Sequence, residues 1–415
     1  MSEWKALSSI TSKIGSGSTP RGGNSVYSDS GISFIRSQNV LDMDFSTENL
    51  AFINDNQAEK LNNVIVEKND ILLNITGDSI ARCTVVPEEI LPARVNQHVS
   101  IIRCKNTEES KYVMYYLQYM KKYLLQISKV GGTRNALTKE AIGKLPIKLS
   151  DDCNKISKIL DNIDQKIQIN NQINQELEDM AKTLYDYWFV QFDFPDQNGK
   201  PYKSSGGKMV YHPELKREIP EGWGVETLKD FESKIITGKT PSRANSDNFG
   251  GEIPFITIGD IRGNTFIYST SETLTDLGAS VQQNKYLPEG SLCVSCIATV
   301  GEIGFTTEWS HTNQQINSIV FEDETNRYYL YFALKNYFEN ANAIAKTGNT
   351  FANMNKEDFS GIRIILPRNE IKNNFHKITE PYFAQIKCLQ GQNQELTQLR
   401  DWLLPMLMNG QVKVE

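Results

Sequence analysis

The sequence predicts an α+β protein built twice over, each copy a globular α/β domain followed by a long helix. Three observations predict it: blocks of sequence that return in the same order after about 220 residues, short apolar runs bounded by turn residues in each copy, and two stretches of about forty residues whose apolar positions follow a helical period. A chain of 415 residues also exceeds what one hydrophobic core usually serves.

The repeat comes first, because a missed repeat misassigns everything after it. Gly17-Ser18-Thr19-Pro20 returns as Gly238-Lys239-Thr240-Pro241, and Ile32-Ser33-Phe34-Ile35-Arg36 returns as Ile253-Pro254-Phe255-Ile256-Thr257, both at an offset of 221. Asn96-Gln97 matches Asn313-Gln314, Thr138-Lys139-Glu140 matches Asn355-Lys356-Glu357, and Asn174-Gln175-Glu176-Leu177 matches Asn393-Gln394-Glu395-Leu396. The order is kept throughout, so the chain is a duplication. Its parts are expected at 1–149 (first domain), 150–190 (first long helix), 191–222 (connector), 223–367 (second domain), 368–409 (second long helix) and 410–415 (tail).

Within each domain, apolar runs bounded by Gly, Pro and Asn read as strands: Ile32 to Ile35, Ile71 to Ile75 and Val99 to Ile102, with counterparts near Phe255, Val294 and Ile319. Tyr112 to Leu125 and Tyr328 to Phe338 read as helices. The first long helix carries its seam on Ile156, Leu160, Ile163, Ile167, Leu177, Leu184 and Trp188, interrupted by Asn170 and Asn174. The second carries it on Phe375, Ile378, Ile386, Leu389, Leu396, Leu399 and Leu403. Asn in such a seam fixes register more than it stabilises. At ~1.5 Å per residue these are rods of ~55 Å, too long to be cores of the domains before them. The connector, with Pro195, Pro201, Pro213, Pro220 and Ser204-Ser205-Gly206-Gly207, favours turns or a small hairpin.

Composition excludes several classes. Hydrophobic residues at 39% and charged residues at 23% are ordinary globular values, and no run approaches the ~18 apolar residues of a membrane span. The opening Met1-Ser2-Glu3-Trp4-Lys5 has no apolar core, so no secretory signal is expected and the expected compartment is the cytoplasm. Six cysteines are too sparse for a disulfide framework, and Cys293 and Cys296 sit three apart in a strand, on opposite faces, so no metal site is expected. Net charge is −6, yet residues 1–150 hold 18 Lys/Arg against 15 Asp/Glu, leaving the acidic excess elsewhere, where it can face protein partners.

Catalytic signatures are missing. No Gly-x-x-x-x-Gly-Lys-Ser/Thr occurs, and in Gly15-Ser16-Gly17-Ser18-Thr19-Pro20 the proline removes a backbone donor with no helix following. No Pro-Pro pair exists to form an aminomethyltransferase loop, and Glu380-Pro381-Tyr382-Phe383 reads as a proline tolerated in a helix. Pro195-Asp196 with Glu214-Leu215-Lys216 has the outline of a metal-dependent nuclease, but it lies in a connector without the buried strands such a site needs. His98 aligns with Gln315, so no catalytic histidine is duplicated.

The doubled Gly-x-Thr-Pro segments, the Phe34-Ile35-Arg36 and Phe255-Ile256-Thr257 strands, the two Asn-Gln-Glu-Leu helices and the run Tyr211-His212-Pro213-Glu214-Leu215-Lys216-Arg217-Glu218-Ile219-Pro220-Glu221-Gly222-Trp223 resemble the specificity subunit of a bacterial type I restriction-modification enzyme. The resemblance spans essentially the whole chain. It implies two target-recognition domains separated by two long antiparallel helices in a coiled coil with an internal pseudo-two-fold. It also implies a non-catalytic subunit that reads double-stranded DNA at a bipartite, asymmetric target with a fixed nonspecific spacer. The partners implied are two methylation subunits, carrying S-adenosylmethionine, and restriction/translocation subunits using ATP, with neither cofactor bound by this chain. A free-standing, pseudo-symmetric DNA-binding regulator is the alternative, though such a protein normally works alone through a short basic recognition helix.

The loops flanking the strands supply the candidate DNA contacts, since Arg reads guanine bidentately and Asn or Gln reads adenine. In the first domain these are Arg21, Arg36, Gln38, Asn39, Arg82, Gln97, Lys129, Arg134 and Asn135. In the second they are Lys239, Arg243, Asn245, Asp260, Arg262, Gln314, Lys346, Asn349 and Asn353. Asn96 and Asn313 are expected to form turns, and Gly131-Gly132 and Gly348 to let backbone approach phosphate.

Overall fold

A computed structural model describes residues 3–129, 135–345 and 353–414. The chain divides into two compact units, Met1–Ile167 with Leu396–Glu415, and Gln168–Glu395, so the division falls inside both long helices.

In the first unit a four-stranded antiparallel sheet runs in the order Thr11–Ser16, Val99–Cys104, Ile71–Asn74, Cys83–Val85. Its central strands are apolar on both faces because each face meets a different core. Ile71, Leu73 and Ile102 join one cluster with Leu7, Tyr112 and Leu117, whereas Leu72, Val99 and Ile101 join another with Phe34, Ile53 and Val95. This accounts for apolar runs without the alternation of a half-exposed strand. A five-stranded sheet lies beyond the second core, and in it Ile32–Ile35 runs parallel to Ala93–Val95. Glu3–Ala6 pairs with Pro146–Leu149, which closes the domain.

The second unit repeats the plan. A sheet in the order Ile235–Thr237, Ile316–Ile319, Leu292–Ser295, Ile303–Thr306, Phe266–Ile267 stands for the four-stranded one. Phe249–Ile256 runs parallel to His311–Thr312, as Ile32–Ile35 does to Ala93–Val95, and Gly224–Thr227 pairs with Arg363–Leu366. Cys293 and Cys296 fall in different apolar clusters, as positions three apart on a strand must. The connector contains a hairpin, Met209–His212 with Arg217–Pro220.

The long helices are Cys153–Tyr185, continued by a π-helical turn Asp186–Val190, and Asn369–Asn409, which carries Pro381 within it. Within the second unit they run antiparallel, since Asn170 donates to Asn393 (2.8 Å) while Tyr185, further along, meets Phe375 (ring centres 6.2 Å apart). Asn170 is fully buried, in keeping with a register-setting role. Two expectations change. Ile378 and Leu399 are 41% and 43% exposed, not in the seam, because the inward stripe follows Phe375, Thr379, Phe383 and Ile386 and leaves Ile378 one step aside. The stretch Tyr112 to Leu125 is two helices, Ser110–Tyr119 and Lys121–Ser128, parted at Met120, whose backbone (φ −81°, ψ 4°) leaves the helical region.

Candidate nucleic-acid interface

The edge strand Thr11–Ser16 delivers the Gly17-Ser18-Thr19-Pro20 loop against the Asn96-Gln97 turn. Gly17 donates its N–H to Val99 O (2.9 Å) and Ser18 to Val95 O (3.1 Å). The approach is so close that a Cβ on Gly17 would stand 2.1 Å from Val95 O, which only glycine avoids. The Thr19 hydroxyl then donates to Gln97 Oε1, and Asn96 Oδ1 accepts from the His98 N–H (3.0 Å), which makes the expected turn.

Three further loops gather at the same turn. Asn96 donates to Ile35 O (3.0 Å), drawing in the Arg36 to Asn39 loop. Ile75 donates to His98 O and Leu137 to Ile75 O (both 2.9 Å), which brings the segments after Asn74 and around Asn135 alongside. A ladder of backbone hydrogen bonds therefore gathers four loops at one end of the domain.

The second unit makes the same ladder with different side chains. Gly238 donates to Ile316 O (3.1 Å), Lys239 to Thr312 O (3.0 Å), Asn313 to Ile256 O (3.2 Å), Cys296 to Gln315 O and Met354 to Cys296 O (both 2.8 Å). A Cβ on Gly238 would lie 2.1 Å from Asn313 O, and Thr240 donates to Gln314 Oε1 at 2.5 Å. The identical skeleton carries Arg36 in one copy and Thr257 in the other, and Gln38 against Gly259.

The candidates divide by what their polar groups already do. Arg21, Gln97, Lys129, Asn135, Lys239, Gln314 and Asn353 are exposed. Arg36 is half-buried, donating to Asn49 O (2.6 Å), and Arg82 is half-buried. Asn245, although exposed, caps a short helix by accepting from Asp247 N (3.2 Å). Arg243 forks onto Glu272 (2.8 Å twice) and Arg262 donates Nε to Glu302 (3.1 Å); exposed pairs of this kind are worth ~0–1 kcal/mol. Asn39 and Asp260 already have tasks within their own loops. Asn39 is fully buried, donating to Ser46 O (3.0 Å) and accepting from Arg36 N (3.0 Å). Asp260 accepts from Thr257 N and Oγ1 (2.7 Å each) and Ser271 N (2.8 Å). Both build their loops. Arg134, Lys346 and Asn349, with Gly131, Gly132 and Gly348, lie outside the described residues.

Sequence reasoning missed Thr19 and Thr240 as loop clasps, although both stood in the doubled motif that it quoted. It also missed His311, which is fully buried beside Tyr286 (ring centres 4.1 Å apart) and whose pKa burial lowers to about 4. A histidine held neutral by folding contributes stability that is complete above its unfolded pKa near 6.5 and is lost as pH falls toward 4. We expect urea unfolding to show a loss of about 2 kcal/mol between pH 7 and 4.5 that His311→Phe removes. Parallel losses in parent and variant would refute the assignment.

Nothing catalytic assembles among the described residues. No group of three or more His, Cys, Asp or Glu could hold a metal ion, Asp196 caps a turn through Asn198 N and Lys200 N (2.8 Å each), and Glu214 pairs with Arg363 (3.2 Å). Burial raises the Cys293 thiol to about 12 and Cys296 to about 11, so neither is a nucleophile at neutral pH. No helix among the described residues is long and apolar enough to cross a membrane.

Comparison with known proteins gives the same duplication. The family described as the type I restriction modification DNA specificity domain matches twice, at residues 2–179 and 220–398. The type I restriction enzyme HindI specificity subunit of Haemophilus influenzae is 34% identical over 333 residues, 68% of this chain and 72% of the relative. The MjaIX specificity subunit of Methanocaldococcus jannaschii is 27% identical over 338 residues, 78% of this chain and 74% of the relative. A crystal structure of a type I restriction-modification S subunit from M. genitalium shares the fold, with TM-score 0.53, 13% identity, and coverage of 98% of this chain and 96% of that one.

Proposed function

The chain belongs to the type I restriction-modification DNA specificity family, and from that premise we propose that its two loop clusters read two different short half-sites of one bipartite DNA target. The supporting observation is the four-loop skeleton made twice, by the same backbone hydrogen bonds, with divergent side chains on it. A shared skeleton presents both loop sets to a duplex in the same way, whereas Arg36 against Thr257 and Gln38 against Gly259 place different groups before the bases. The chain is a non-catalytic recognition component that assembles with other subunits of the system.

Two methylation subunits dock on this chain and carry S-adenosylmethionine, and restriction/translocation subunits carry ATP; no cofactor binds here, and the complex works in the cytoplasm. The long helices act as the spacer, since the Gly- and Pro-containing connector is no ruler.

Methylome sequencing of cells expressing the complete system tests this reading. Two unlike half-sites with a fixed gap, their centres about 10 bp apart so that both face one side of the duplex, are expected. A single contiguous motif would sink the proposal.

A further inference from the structure

Each unit carries a polar groove at the opposite end of its edge strand from the Gly-x-Thr-Pro loop. In the first unit a cavity of about 630 Å³ is lined by Ser8, Ser12, Lys13, Lys139, Glu140 and Lys144 among others. In the second a cavity of about 440 Å³ is lined by Thr227, Lys229, Ser233, Lys356, Glu357 and Ser360 among others. These are the same place in the repeat. Ser12-Lys13-Ile14 corresponds to Ser233-Lys234-Ile235, and Lys139-Glu140 to Lys356-Glu357.

What repeats there is more than the fold requires. Ile14 and Ile235 are buried, Ser12 donates to Arg103 O (3.3 Å), Ser233 donates to Glu322 Oε1 (2.7 Å), and Glu140 and Glu357 sit in the first turn of their helices, so these explain themselves; Lys139 and Lys356 are exposed with no such task among the described residues. Exposed positions ordinarily drift with little effect on stability, as the reading loops of the two copies have done. Surface identity in duplicated halves that otherwise read different DNA indicates a demand common to both.

The shape and charge of the groove define what it takes. One wall is a sheet edge: among the described residues Thr11–Ser16 has only Val99–Cys104 beside it in its sheet, and Ile235–Thr237 only Ile316–Ile319. An edge strand offers unpaired backbone donors and acceptors that an extended peptide can join. The other wall is a short helix, Lys139–Gly143 or Lys356–Ser360. Glu140 is engaged with Lys144, whereas Lys139, Lys229 and Lys356 form no ion pair among the described residues, so each groove presents surplus positive charge. The retained glutamate beside each lysine disfavours a polyphosphate backbone, and the strand between groove and loop separates the groove from the reading face.

We propose that each groove receives one acidic, extended segment of the same partner polypeptide, which adds to the edge strand, so that one copy docks per repeat. This rests on the reading that the chain assembles with methylation subunits, and it names where they hold on.

The test uses the full chain co-expressed with the methylation subunit of its own system. Lys139→Glu and Lys356→Glu are exposed charge reversals, and unchanged melting temperatures establish that both variants fold. Native mass spectrometry is expected to show two partner copies on the parent chain, one on either single variant, and retention weakened at least tenfold on the double variant. Amide hydrogen exchange should slow at 11–16 and 235–237 when the partner binds. Two copies retained by the double variant, or no slowing at either strand, would overturn the groove assignment while leaving assembly intact. A parent chain that captured no partner would instead overturn the assembly reading. If the reversals left stoichiometry at two but lowered the salt dependence of DNA binding, the grooves would be phosphate contacts and the proposal would fall.

Discussion

Replacing Glu178 with leucine is expected to destabilise the second unit by about 3 kcal/mol, because it strands a half-buried cation and two buried hydroxyls at once. Glu178 stands on the first long helix with its side chain 15% exposed, and it accepts from Lys335 Nζ, from the buried Tyr331 hydroxyl (2.8 Å) and from Thr265 Oγ1 (3.0 Å). Burial alone would raise its pKa, but Lys335 and the hydrogen bonds outweigh burial and hold the carboxyl below its usual value. A depressed acid contributes stability that is present above its unfolded pKa near 4.3 and is lost as pH falls through the folded value. The variant should therefore melt roughly 6–12 °C below the parent at pH 7, and the gap should narrow in acid. Equal melting at pH 7 would show that this clamp contributes nothing.

The first unit has a clamp with the opposite balance. Asp164 accepts from Arg400 (2.8 Å) and from the Tyr115 hydroxyl (2.5 Å), yet burial outweighs both and its pKa is raised. Neither clamp was legible in the sequence, where Asp164 and Glu178 are two charged residues among many on the first long helix. A charged residue is read as surface unless its partner is known, and here the partners stand 236 and 157 residues away.

What the sequence did reveal depended on period and repetition. Ile32 to Ile35 is a strand at the stated bounds because an apolar run closed by turn residues leaves little choice, and the long helices were visible from spacing sustained over many turns. The doubled Gly-x-Thr-Pro and Asn-Gln segments located the loop cluster correctly, since a turn and a close approach need those residue types whatever surrounds them. That Asn39 and Asp260 hold their own loops was not legible, for the complementary reason. Whether a loop Asn or Asp faces solvent or caps its own backbone is decided by loop conformation, and the sequence pattern is the same in either case. Both cap loops at equivalent positions of the two copies, Arg36 N to Asn39 and Thr257 N to Asp260, so comparing the copies was the available signal.

The loop clasp gives the largest functional effect. Gly17→Ala places a Cβ about 2.1 Å from Val95 O, and Gly238→Ala does the same against Asn313 O. Both obstacles are backbone, so no side chain can rotate away and the loop itself must withdraw by about 1 Å or more. Withdrawal breaks the Gly17 bond to Val99 O and the Thr19 clasp on Gln97 and displaces every group that the loop holds near the bases. Misplacement on that scale costs on the order of 100-fold in a reaction that depends on alignment, whereas the core beneath is untouched. Methylation of the target by the assembled complex should therefore fall about 100-fold for either variant, with residual sites degenerate only in the half read by the altered unit. Gly15→Ala is the control, two residues earlier on the strand that leads into the loop, where an added Cβ meets nothing within 4 Å, and it should methylate like the parent. If Gly17→Ala and Gly15→Ala behaved alike, with both half-sites still read in full, the Gly-x-Thr-Pro loops would have no part in recognition.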